Sequence, residues 1–103
     1  MTQPYTCGIW TVKAGAQEQF VAAWTDLAEW TGREVQGSGR ATLLRDRSAA
    51  NRFVSFGPWE SLEAIEHWRS LDGWQERVGR LRVLLDGFEP STLELVVEVD
   101  SAQ

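Results

Sequence analysis

Apolar residues recur along this chain with two periods, and the switches between them mark out the elements. Tyr5 to Lys13 (YTCGIWTVK) is rich in strand formers, with Cys7 and Ile9 alternating against Trp10 and Val12. Ala14-Gly15 breaks that run, and Gln17 to Glu34 then carries Phe20, Trp24, Leu27 and Ala28 at helical spacing. Gly32 and the Gly37-Ser38-Gly39 run form a loop to a second strand, Ala41 to Arg45 (ATLLR). The polar turn DRSAAN leads into a third strand at Arg52, so the second and third strands read as a hairpin.

In that third strand Phe53, Val54 and Phe56 favour extended backbone, and Gly57-Pro58 stops it. Glu60, Ser61 and Glu63 put acceptors and negative charge at the start of a helix that begins near Trp59 or Glu60. Leu62, Ile65 and Trp68, with Arg69 beside them, form its apolar stripe. Asp72-Gly73 interrupts the pattern. Trp74, Val78, Leu81, Leu85 and Phe88 resume it, predicting a second helical piece ended by Gly87 and Pro90. Thr92 to Val99 alternates, with Leu93, Leu95, Val97 and Val99 on one face and Thr92, Glu94 and Glu98 on the other. This predicts an amphipathic fourth strand at a sheet edge, followed by a short tail from Ser101 to Gln103.

The order β-α-β-β-α-β, with its second helical stretch in two pieces, is that of an α+β ferredoxin-like sandwich with a four-stranded antiparallel sheet. Right-handed crossovers place the helices on one face and the first and third strands in the centre. Those two strands are apolar on both faces, so the face without helices requires a cover. A second copy of the chain, sheet against sheet, is the simplest one, and the expected assembly is a homodimer forming a dimeric α/β barrel.

The 103 residues fit one domain, 1–103, with a single core that buries roughly 60 to 70% of the unfolded surface. The net charge of −5 and the scattered arginines leave no basic stripe for nucleic acid phosphates or an anionic membrane. The lone Cys7 allows no internal disulfide, and no apolar run is long enough for a signal peptide core or a membrane span, so the expected location is cytoplasmic.

Three segments carry a family resemblance: VKAGAQEQFVAAW, RFVSFGPWESLEAIEHWRS and LLDGFEP. From Tyr5 to about Val99 the chain resembles the antibiotic biosynthesis monooxygenase family of small dimeric α/β-barrel proteins. That family includes cofactor-free oxygenases, which turn phenolic polycyclic polyketide intermediates into quinones, and heme-degrading enzymes. The heme-degrading pattern is disfavoured. Its tryptophan matches Trp68, but its asparagine falls at Gly8 and its iron-ligating histidine at Val78. His67 lies about 100° round the helix from Trp68, in phase with Glu60 and Glu63 on the wet side.

What the resemblance implies is therefore a monooxygenase that needs no cofactor, neither flavin nor metal. A deprotonated phenol or anthrone can pass an electron to dioxygen itself, leaving the protein to bind it, stabilise the anion and exclude water. The residues agree in lacking a dinucleotide-binding glycine pattern, a P-loop, a metal-spaced His/Cys set and a nucleophilic triad. A small hydrophobic aromatic substrate would lie between Gly8, Trp10, Trp24, Ser55, Trp68 and Trp74, with Trp68, Arg69 and Arg77 as the catalytic candidates.

Plainer readings stand beside these. Each tryptophan can be core, each arginine a helix-face cation paired with Glu66 or Glu76, and Ser55 a locally satisfied strand hydroxyl. Trp59 reads as a staple of its corner, and Trp30 as surface or interface. Two other functions fit the same pattern: a non-catalytic small-ligand binding module, and a polyketide cyclase or isomerase using the same dry pocket.

Overall fold

The computed structural model describes residues 2–102. In chain order the elements are β1 (Pro4–Val12), α1 (Gln17–Glu34), β2 (Thr42–Arg45), β3 (Arg52–Pro58), α2 (Leu62–Ser70), α3 (Asp72–Arg82) and β4 (Leu85–Glu94). The strands form one sheet in the order β2-β3-β1-β4, with every neighbouring pair antiparallel. This is the ferredoxin-like α+β arrangement, and β1 and β3 are central as their two apolar faces require. No helix among the described residues is long and apolar enough to cross a membrane.

One face of the sheet is covered by the helices. Trp10, Val12 and Phe53 from the central strands pack into one core with Phe20 and Leu27 of α1 and Val78 and Leu81 of α3. Val35, Trp59 and Ile65 form a smaller cluster at the other end of the sandwich. The opposite face carries Ile9, Val54 and Leu44 in register, and there Leu44 (52% exposed), Phe56 (39%) and Leu93 (51%) remain in contact with solvent.

The boundaries of β1 and β2 differ from the sequence reading by one residue, and those of α2, α3 and β4 differ for visible reasons. Helix α2 starts at Leu62, after an N-cap at Ser61 whose Oγ accepts the Ala64 N–H at 3.1 Å. The N–H groups of Trp59 and Glu60 are instead taken by the carbonyls of Pro4 and Gly37, both at 2.8 Å, which holds those residues outside the helix. Leu62 is 57% exposed, so the apolar stripe of α2 narrows to Ile65 and Trp68. The break between the two helical pieces is present but falls at Leu71, which serves as C-cap of α2 and N-cap of α3, so that Asp72-Gly73 opens the second piece.

The largest correction concerns β4. Helix α3 ends at Arg82, and Leu85 and Phe88 belong to the strand that follows, although their spacing continues the helical period. The sheet takes the chain at once: the Lys13 N–H donates to the Leu84 carbonyl at 2.8 Å, and Leu85 pairs with Val12. Phe88 then stands opposite Trp10, and Pro90 opposite Gly8, on an edge strand where a missing N–H is tolerated. The strand ends at Glu94 because β1 ends there too. Pro4 pairs with Glu94, and the Leu95 N–H makes a last bond to the Gln3 carbonyl at 2.8 Å. Residues 96–99, predicted as strand, lie beyond β4 with no strand beside them among the described residues, and Val96, Val97 and Val99 are exposed.

Candidate functional site

Between the helices and the covered sheet face lies a cavity of about 650 Å³. Its floor is built where β1 and β3 run side by side. Gly8 lies opposite Ser55, and both face the helices with Trp10. The Trp10 indole Nε1–H donates to Ser55 Oγ at 2.9 Å, and the ring stacks on Phe88 with centroids 4.1 Å apart and planes 17° from parallel. A Cβ on Gly8 would stand 2.9 Å from Trp10 Nε1 and 3.1 Å from Ser55 Oγ. Gly8 is therefore the space into which Trp10 folds, and the room beside it is occupied by the indole.

The walls are aromatic. Trp59 and Trp68 meet tilted at 4.9 Å, and Trp68 meets Trp74 edge-on at 5.9 Å. Such pairs add about 0.5 to 1.5 kcal/mol each beyond burial. Trp24 of α1 lines the same cavity. Three of these rings are locked by hydroxyls. Besides the Trp10 bond to Ser55, Trp59 Nε1–H donates to Thr6 Oγ1 at 3.1 Å and Trp68 Nε1–H to Thr31 Oγ1 at 2.9 Å. Thr31 donates its own hydroxyl hydrogen to the Leu27 carbonyl at 2.7 Å, so its one donor is spent within α1 and a lone pair faces the indole.

Of the residues singled out from the sequence, Gly8, Trp10, Trp24, Ser55, Trp68, Arg69 and Trp74 all line the cavity. Arg77 does not. Its guanidinium lies 4.7 Å over the Trp30 ring, donates to the Gly73 carbonyl at 3.1 Å and pairs with Asp26 of α1 at 3.1 Å, bracing α1 against α3. The acid it pairs with is Asp26 rather than Glu66 or Glu76. Trp30 itself sits against Gly73 and is half-buried between those helices. Trp59 is both a corner residue and a cavity wall, and only 4% exposed. His67 is exposed, as its helical phase predicts.

Several lining residues escaped the sequence reading. Thr6 and Thr31 hold indoles from sequence separations of 53 and 37 residues, which no local pattern encodes. Thr31 did leave one signal, since it continues the α1 stripe of Phe20, Trp24 and Leu27 as a polar residue on an apolar line. Glu29 and Arg82 are the other charged groups on the lining. Among the described residues neither Arg69 nor Arg82 has an ion pair or a side-chain hydrogen bond. No group of His, Cys, Asp and Glu suited to a metal ion occurs among them. Chemically, the arrangement can grip a flat aromatic molecule against ring faces and offer it a cation.

A family model, antibiotic biosynthesis monooxygenase, matches residues 9–80. Among solved structures, a mutant of SnoaB, a cofactor-independent oxygenase from Streptomyces nogalater, superposes with a TM-score of 0.88 at 23% identity, over 96% of this chain and 98% of that one. A protein from Shewanella oneidensis gives 0.83 at 22% identity, over 94% of both chains. A conserved protein from Methanosarcina mazei gives 0.81 at 16% identity, over 90% of this chain and 92% of the other. At these identities the likeness is one of fold. No curated protein matches the chain.

Proposed function

This chain belongs to the antibiotic biosynthesis monooxygenase family, and from that premise we propose that it is a cofactor-independent monooxygenase of aromatic polycyclic, polyketide-like phenols or anthrones. The observation that carries the reading is a cavity of about 650 Å³ that stays open although tryptophans wall it. A site filled by its own side chains would favour a plain core; this one has the volume of a small-molecule site, typically about 300 to 1,000 Å³. The resemblance in fold to SnoaB, itself a cofactor-independent oxygenase, supports the same direction.

The chemistry asks little of the protein. Loss of a proton from an anthrone CH₂ gives a delocalised anion, which transfers one electron to dioxygen; the resulting radical pair forms a C–O bond and hence a hydroperoxide. Removal of the second C–H proton with cleavage of the O–O bond yields the ketone and water, so one oxygen atom enters the product and the other leaves reduced. Indole faces of Trp68, Trp74 and Trp24 hold the ring system, and a bound polycycle displaces water from the aromatic walls around the anion. Arg69, on the cavity lining, stabilises the anionic oxygen as it forms.

The active species we propose is a homodimer. The open sheet face with Leu44, Phe56 and Leu93, and the exposed Val96, Val97 and Val99, are the surfaces a second copy would cover. We place the protein in the cytoplasm, where the half-buried thiol of Cys7 stays reduced.

Oxygen uptake by dialysed, metal-free and flavin-free protein given hydroxylated anthrones and naphthols tests the function. Enzyme-dependent uptake, with a product that has gained one oxygen and lost two hydrogens, is expected. Turnover that persists under nitrogen without oxygen gain would instead identify a cyclase or isomerase. Ligand-raised melting temperature without any turnover would identify a binding module.

A further inference from the structure

Polar groups around the cavity are unevenly engaged. The N–H groups of Trp10, Trp59 and Trp68 are already donated to Ser55, Thr6 and Thr31, so these rings offer a ligand only faces and edges. Against them stands Arg69 in the last turn of α2. It is half-buried, lines the cavity beside Trp68, and has neither an ion pair nor a side-chain hydrogen bond among the described residues. Three arginines are paired, Arg77 and Arg80 sharing Asp26 and Arg52 holding Asp46; Arg33, Arg40, Arg45 and Arg47 have no ion pair among the described residues either, but none of them lines the cavity. Arg82, in the last turn of α3, adds a second unpaired cation to the lining, while Glu29 is the one carboxylate among the lining residues and is exposed.

A guanidinium brings five N–H donors and no acceptor, and partial burial removes much of the water that would satisfy them. Where the protein supplies no acceptor, an anionic oxygen of the ligand completes the site. Orientation points the same way. Stacking on indole faces tolerates sliding and rotation in the plane of the ring, whereas a forked charge-assisted contact at one edge fixes it.

We propose that the cavity selects planar polycycles bearing an anionic oxygen, a carboxylate or an ionised hydroxyl, on one edge, and that Arg69 is the specificity-determining residue that binds it, with Arg82 as an outer second cation. This rests on the cavity being the polycycle site proposed above. Arg69 thereby sets which ring carbon is presented for reaction.

Quenching of tryptophan fluorescence by anthracenecarboxylate and by its neutral carboxamide, at neutral pH, tests the selection. Alizarin, whose phenol ionisation is read from its visible spectrum, provides the second arm. Wild-type protein is expected to bind the carboxylate roughly 10- to 100-fold tighter than the carboxamide, the range of a hydrogen bond to a charged group, or to lower the apparent pKa of bound alizarin. The first result identifies a carboxylate site and the second a phenolate site. Arg69→Gln should abolish the preference for the anion, lowering carboxylate affinity far more than carboxamide affinity; Arg69→Lys should restore part of it, and Arg47→Gln in the exposed β2–β3 turn should change nothing. Near-UV circular dichroism checks that each variant keeps its tryptophan packing. Equal affinity for acid and amide with unshifted alizarin, or an effect that survives in Arg69→Gln, overturns the selection by Arg69 alone. Failure of the wild type to bind any of the three compounds overturns it together with the polycycle reading.

Discussion

Gly8 has to be glycine because Trp10 lies across it. With 2.9 Å between a Cβ there and Trp10 Nε1, Gly8→Ala pushes the indole off its bond to Ser55 and off its stack on Phe88. The expected cost is about 1 to 3 kcal/mol, that of overpacking a tight core, read by urea denaturation, with a changed near-UV circular dichroism spectrum as the local signature. At this scale the sequence displayed its large residues and hid their partners. Six tryptophans are visible at once, but the hydroxyls of Ser55, Thr6 and Thr31 that fix three of them come from 37 to 53 residues away. Arg69 and Arg77 could not be told apart either. Both flank apolar stripes, and only the approach of α1, bringing Asp26 and Trp30, takes Arg77 away from the cavity.

Elements with strong local signals formed where the pattern puts them. Helix α1 spans Gln17–Glu34 as its stripe predicts, and the β2–β3 hairpin closes over the DRSAAN turn. That turn is organised by Asp46, whose carboxylate accepts the Ser48 N–H at 2.7 Å and pairs with Arg52 at 3.1 Å. The bond from Ser48, aided by Arg52, holds the Asp46 carboxyl below the ordinary aspartate pKa. A depressed folded-state pKa contributes stability that is complete above the unfolded-state value and is lost as pH falls through the folded one. Hydrogen-exchange protection factors, taken relative to the intrinsic rate at each pH, should therefore fall in residues 47–51 below about pH 4, near the unperturbed aspartate value. Asp46→Asn keeps an acceptor without a charge and should remove that pH dependence; an identical acid profile in wild type and variant would contradict the assignment. Where two patterns competed, long-range pairing won. Leu85 and Phe88 fit a helical period, yet β1 offers a ladder from Val12 to Pro4, with one register shift between Thr11 and Val12, and the strand it recruits is β4.

At the scale of the whole molecule, the sheet has one covered face and one open face. A monomer exposing Leu44, Phe56 and Leu93 around Val54 and Ile9 is poorly protected, and the proposed homodimer would bury this face. Phe56→Asp should disrupt it. Burying an unpaired carboxylate there costs about 3 kcal/mol or more, roughly a hundredfold in Kd. Light scattering during gel filtration should show dimeric wild type and a largely monomeric variant with unchanged far-UV circular dichroism; a monomeric wild type would exclude the assembly.

By itself the sequence determined the order of the elements, the central place of β1 and β3 and the aromatic character of the interior, because hydrophobic period and turn residues act locally and survive in one dimension. Only the tertiary structure decided where α3 yields to β4, which hydroxyl holds which indole, and which arginine faces an open cavity. Those outcomes depend on pairing between distant segments, where a strand ladder or an acid on a neighbouring helix outweighs the local preference that a sequence displays.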